Sequence, residues 1–206
     1  MENIGKRINQ VSEWIMHLFL LQIYWIFGTL IGGIILGIIP SSIALFSSIR
    51  KLFRVNQEFK LLDYFVGEYK ANFKFSLVLN LWYILIFIVS FIYREYMSAT
   101  TDSWLAYTHI PLYALLLLLI LLSLYLIPVY VHYEVRPVHL IPTTGAIMLT
   151  SMKWNLPLLL SLIAVALIFI RFSVVFLFFG ISLPAFLLFY FTHLAFNDFD
   201  LKRDAL

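Results

Sequence analysis

The chain contains no cysteine among its 206 residues. That excludes disulfides, thiolate metal sites, a cysteine nucleophile and palmitoylation. Charge is scarce too, at 12% of residues, and residues 111–128 and 155–170 carry none. No glycine-rich phosphate loop, His-Glu-x-x-His or Gly-x-Ser-x-Gly occurs, and no apolar run holds a pair of carboxylates. ATP hydrolysis by this chain itself, zinc-dependent hydrolysis and serine hydrolysis therefore lack their residues. The expectation is a protein that is not an enzyme, with no catalytic residue, no cofactor and no metal site. His132-Tyr133-Glu134 with His139 matches no recognised ligand spacing and reads as an interfacial loop. A basic stripe with interleaved aromatics is missing as well, so the net charge of +3 does not point to nucleic acid.

What is abundant is apolar surface. Hydrophobic residues make up 63% of the chain and the mean hydropathy is +0.96, more than a soluble domain of this length can bury. The fold class follows: an all-α, polytopic helical membrane protein in a lipid bilayer. A bilayer core of about 30 Å needs roughly 20 apolar residues per helix. About six segments meet or approach that length: Trp14–Ile39, a short Ser41–Phe53, Phe75–Met97, Trp104–Val131, Trp154–Ile170 and Phe172–Phe196. Proline disfavours helix in the residue before it, so the break between the first two is expected at Gly37-Ile38-Ile39-Pro40. The charged N-terminal stretch lacks a signal-peptide cleavage pattern and is expected to be retained.

Lysine and arginine resist translocation and so set orientation. With the N-terminus inside, twelve of the fourteen basic residues fall on the cytoplasmic side, and only Arg94 and Arg171 lie outside. Both termini are then cytoplasmic in a multi-pass protein of the cell membrane. Arg94-Glu95 and Asp102, with Arg171, read as an outer-face charge cluster. Trp14, Trp104 and Trp154 start spans, as interfacial tryptophans do, and Tyr93, Tyr96, Trp104 and Tyr107 read as an outer aromatic belt. His17 and His193 are the deepest ionisable groups, but a proton relay would need an acidic partner at depth, and no span supplies one.

Small residues mark where helix backbones approach. Gly28-xxx-Gly32 and Gly33-xxx-Gly37 fall in the first apolar segment, and Ser41, Ala44 and Ser48 share a face of the second, next to Pro40. These eight are the expected helix-packing residues. Between the second and third spans, Phe59, Leu62, Phe65, Tyr69 and Phe73 recur at helical spacing among charged residues. They predict an amphipathic cytoplasmic helix over 59–74, which either lies in the headgroup layer or docks a partner. Gly37-Ile38-Ile39-Pro40-Ser41 and Gly180-Ile181-Ser182-Leu183-Pro184-Ala185 share a pattern. In a single transmembrane domain of residues 1–206, this hints at an internal duplication relating 14–97 to 104–196.

The segment from Gly37 through Pro40, Ala44-Leu45-Phe46 and Arg50-Lys51 resembles the bacterial YesL family, which typically has Gly-x-x-Pro, a small residue, Ala-Leu-Phe and then Arg-Lys. Tyr69-Lys70-Ala71-Asn72-Phe73-Lys74 and the Gly180–Ala185 ending continue the likeness over the whole chain. The resemblance implies an integral membrane protein without transferable catalytic residues, and an association with carbohydrate ABC importers of Gram-positive bacteria. On that basis the expected partners are other membrane proteins, a sugar ABC permease first. The function it implies is an accessory subunit of such an import system. A small autonomous transporter or channel is the alternative.

Overall fold

The computed structural model describes residues 2–54, 59–99 and 109–204, with side chains over 9–54, 59–96 and 110–203. Every regular element among them is helical. The order is α1 (Glu2–Ile31), α2 (Ile35–Arg54), α3 (Leu61–Ala99), α4 (His109–Tyr133), α5 (Pro137–Thr150), a short 3-10 turn (Met152–Trp154), α6 (Asn155–Arg171), α7 (Ser173–Phe179) and α8 (Ser182–Asp204). Five helices are long and apolar enough to cross a membrane, or six if α7 and α8, bent by 67° at their junction, count as one span. The all-α polytopic expectation holds.

The first break is not where proline suggested. The chain turns at Gly33 (φ 73°) and Ile34 (φ 60°), and Pro40 lies inside α2. Two consecutive left-handed residues reverse the backbone tightly, and glycine takes the first at little steric cost. Proline inside a helix frees the carbonyl four residues earlier, here Leu36. The side-chain amide of Asn80, buried on α3, donates to that oxygen over a long 3.5 Å. A neighbouring helix thus replaces the donor proline lacks, as lipid-embedded backbone requires.

The segment expected to be short is the centre of the molecule. Every residue of α2 from Gly37 to Ile49 except Ile38 and Ser42 is buried, and 61% of its most apolar window is buried against 17% for α3 and for α6. α1, α3, α4 and α8 pack around it. Leu21, Ile43, Leu45, Ile49, Tyr125, Leu126, Phe189 and Phe196 form much of the core.

Three other expectations are corrected. The amphipathic stretch 59–74 is no separate helix: from Leu61 it runs unbroken into the third span as a helix of 39 residues, about 58 Å at about 1.5 Å per residue. Residues 137–150, read as part of a loop, form α5 with Leu140, Thr144, Ile147 and Met148 buried. Its 14 residues are too few to span. Its first residue lies beside Arg50 and Glu134, while the carbonyl of its last residue accepts from Lys202 at 2.7 Å, so it enters and leaves at one end of the bundle. Finally, Phe172–Phe196 is interrupted at Gly180-Ile181. There the buried Gln22 of α1 accepts hydrogen bonds through Oε1 from the backbone N–H groups of Ile181 and Ser182, both at 3.0 Å. Those are orphan donors of the α8 start.

Candidate functional site

The end of the bundle that carries most basic residues also holds most of the long-range polar contacts. The end of α2, the early turns of α3, the end of α4 and the link to α5 meet there around a cavity of ≈ 490 Å³, lined by Ser47, Arg50, Glu68, Asn72, Phe75, Tyr130, Val131, Glu134, Val135 and Pro137. Arg50 sits at the basic C-terminus of α2 and donates to the terminal carbonyls of α4, Val131 and, at 3.5 Å, His132. A guanidinium at a helix C-terminus satisfies orphan carbonyls and meets the negative end of the helix dipole. Its other arm lies 3.6 Å from Glu134, whose side chain is 81% exposed.

Opposite Arg50, the Tyr130 hydroxyl donates to Asn72 Oδ1 at 2.6 Å, and Asn72 Nδ2 donates to Glu68, to its carbonyl at 2.9 Å and to its carboxylate at 3.2 Å. The Tyr130 ring stacks on Phe75 with centroids 4.1 Å apart. The rings of Phe75 and Tyr130 thus stand beside Asn72 and Glu68, while Arg50 and Glu134 lie next to each other at the same cavity. Glu134 has φ 51° as it closes α4. Glycine usually fills such a position, and a residue with a Cβ costs about 1 kcal/mol there.

A second polar cluster adjoins the first. The ring of His132 lies 4.5 Å from that of Phe196 and 5.9 Å from that of His193, and Tyr133 donates to Asp200 at 3.2 Å. Trp154 Nε1 donates to Asp198 at 2.8 Å and Lys153 pairs with the same carboxylate at 2.6 Å. These contacts fasten α8 to α4 and to the start of α6. His139 is exposed on α5, and His17 is half-buried on α1. Among the described residues no group of three or more His, Asp or Glu is arranged to hold a metal ion.

The expected helix-packing residues divide into three kinds. A Cβ on Gly28 would meet Ser41 Oγ at 2.6 Å, one on Gly32 would meet Gly37 Cα at 2.3 Å, and one on Gly37 would meet the Thr29 carbonyl at 2.3 Å. These three let α1 and α2 cross closely. Gly33 has nothing within 4 Å and serves the turn instead, so Gly33-xxx-Gly37 is no face of one helix. Ser41, Ala44 and Ser48 are fully buried in α2 with Pro40, and Ser48 donates to the Ala44 carbonyl at 2.7 Å.

The residues expected to dock a partner are turned mostly toward the chain itself. Phe65 is 3% exposed and packs against Tyr24. Tyr69 donates to the Gly28 carbonyl at 3.1 Å and lies 5.7 Å from Phe73, ring to ring. Phe59, just before α3, and Tyr64 enclose the Lys51 ammonium at 4.6 Å and 3.8 Å from their ring centres. Leu62 alone of the five is largely exposed, at 48%.

At the other end, Tyr93 and Tyr96 line an apolar groove between α3 and α4 with Leu112, Leu115 and Leu116. Arg94, five residues before the end of α3, and Arg171, the last residue of α6, are both exposed. Asp102, Trp104 and Tyr107, expected in the same region, lie outside the described residues. Sequence reasoning missed Gln22, Asn80, Arg50, Asn72 and Tyr130. An amide in an apolar run was the available signal for Gln22 and Asn80, because lipid exposure would leave its polar atoms unsatisfied.

Residues 18–96 match a family model described as a protein of unknown function, DUF624, a stretch that runs from α1 to near the end of α3. Three proteins of Bacillus subtilis (strain 168) are similar to the chain. Uncharacterized protein YesV is 32% identical over 53% of this chain and 53% of its own length. Uncharacterized protein YesL is 22% identical over 65% and 63%, and uncharacterized protein YteU is 30% identical over 65% and 61%. The chain thus spans less than two thirds of the length of these relatives. No solved structure matches it.

Proposed function

We propose, from the premise that this is a YesL-type membrane protein, that it is a non-enzymatic accessory subunit working beside a carbohydrate ABC import system in the bacterial cell membrane. The basic end with its polar cavity faces the cytoplasm under the positive-inside rule. The observation that carries this reading is the use made of polar groups at membrane depth. Gln22 caps α8, Asn80 serves the carbonyl freed by Pro40, and Tyr83 donates to the Ser123 carbonyl of α4 at 2.7 Å. Each is committed to holding helices together, whereas a transport pathway needs polar groups facing a shared passage. Ionisable side chains instead gather at the ends of the bundle.

The carbohydrate system enters through the association that the YesL resemblance implies. The helices offer lipid-facing surface for a permease, most openly on the far halves of α3 and α4, where Phe87, Phe91, Ile92 and Ile110 are exposed. Co-purification from the native membrane in mild detergent tests the reading. A stoichiometric sugar permease is the expected outcome. A homo-oligomer with no other chain, coupled with solute flux in reconstituted vesicles, would replace it with the autonomous transporter.

A further inference from the structure

The cavity at the basic end has the size of a small-ligand site, which runs from about 300 to 1,000 Å³. Its described lining carries two carboxylates, Glu68 and Glu134, and one guanidinium, Arg50. Arg50 is occupied: it donates to the terminal carbonyls of α4 and lies beside Glu134. Glu68 receives the neutral amide of Asn72 and interacts with the neutral hydroxyl of Tyr64, which also reaches Arg50. Among the lining side chains themselves the carboxylates outnumber the guanidinium by one, and a carboxylate without a full cationic partner in a partly enclosed site favours a cation.

The aromatic lining agrees with that sign. The stacked rings of Phe75 and Tyr130 line the same cavity, and aromatic faces attract ammonium and guanidinium groups. Glu134, exposed at the rim, brings a second carboxylate to the same cavity. An anion would meet two carboxylates and an arginine whose donors are engaged. A neutral polyol would leave the excess charge unanswered.

We propose that this cavity binds an organic cation, a guanidinium or ammonium group seated between the carboxylates of Glu68 and Glu134 against the Phe75 and Tyr130 rings. This is independent of the accessory-subunit reading, since the cation can belong to a free amine or to a side chain of another protein. The test is calorimetric titration of the purified full chain in mild detergent with agmatine, with the blocked tripeptide acetyl-Gly-Arg-Gly-amide and with maltose. Saturable binding of a guanidinium probe that weakens with salt is expected, as is a loss of at least about tenfold in Glu68→Gln and in Glu134→Gln, both with an unchanged size-exclusion profile. Tighter binding of agmatine assigns the site to a small amine, and tighter binding of the tripeptide assigns it to a protein side chain. The proposal is overturned if neither cation binds saturably, if Glu134→Gln, altered at an exposed rim position, binds as the wild type does, or if maltose binds as well as agmatine.

Discussion

At the scale of single residues, the glycines separate into those that permit contact and the one that permits a turn. Gly37 faces the Thr29 carbonyl so closely that a methyl group would sit at 2.3 Å from it, and the atom in the way is backbone, which cannot swing aside. Gly37→Ala is expected to cost about 2 kcal/mol or more through overpacking, read as lost monodisperse yield and a lower melting temperature in detergent. Gly33→Ala meets no atom within 4 Å but takes φ 73°. Only the left-handed penalty of about 1 kcal/mol applies to it. Equal losses for the two would refute this division of labour. Gln22 follows the same logic of local need: Gln22→Leu leaves the backbone donors of Ile181 and the buried Ser182, at the start of α8, unmet, at a cost of about 1–3 kcal/mol. That variant should melt early and expose the α7–α8 junction to hydrogen exchange, and a wild-type exchange pattern there would discard the capping role.

At the scale of elements, the outcome for α3 depends on what lies beside it. The 59–74 stretch has the alternation of a helix lying on a surface, and its periodicity is real. Much of its apolar face packs inside the chain, against α2 and also against α1, where Phe65 inserts beside Gly28 and Tyr69 reaches the Gly28 carbonyl. Replacing Phe65 and Tyr69 with serine is accordingly expected to loosen the packing of α3 on α1 and α2, at about 2–4 kcal/mol, before it could release any partner. Thermal stability of the purified double variant decides this: a wild-type melting curve would return the segment to the role of a docking surface. α5 shows the complementary case. Two prolines, a glycine and three threonines in residues 137–150 give weak helix propensity and no charge pattern, yet burial of Leu140, Ile147 and Met148 against the bundle stabilises a helix there.

For the whole molecule, the packed half is the basic end, and the far halves of α3 and α4 extend from it with few buried side chains. Orientation is checked by cysteine labelling, which the absence of native cysteine makes clean. Single cysteines at Lys60 and His139 should resist an impermeant reagent applied outside intact cells, and one at Ala99 should react. Labelling of Lys60 and His139 with protection of Ala99 would invert the bundle and move the cavity to the outer face.

Hydropathy and the spacing of charge determined that the chain is a helical membrane protein, where most apolar runs lie and which ends share their basic residues, because those properties depend on transfer from water to lipid and add up residue by residue. The identity of the close-packing glycines at 28, 32 and 37 was legible for the same local reason: only a residue without a side chain lets two backbones touch. Tertiary structure alone decided that the chain turns at Gly33-Ile34 while α2 continues through Pro40, where the side-chain amide of Asn80 on α3 comes to 3.5 Å from the freed Leu36 carbonyl. It likewise decided that Arg50, Glu68, Asn72, Tyr130 and Glu134 enclose one cavity. Those five come from three helices and a connection, and no period within one segment encodes which helix ends will meet.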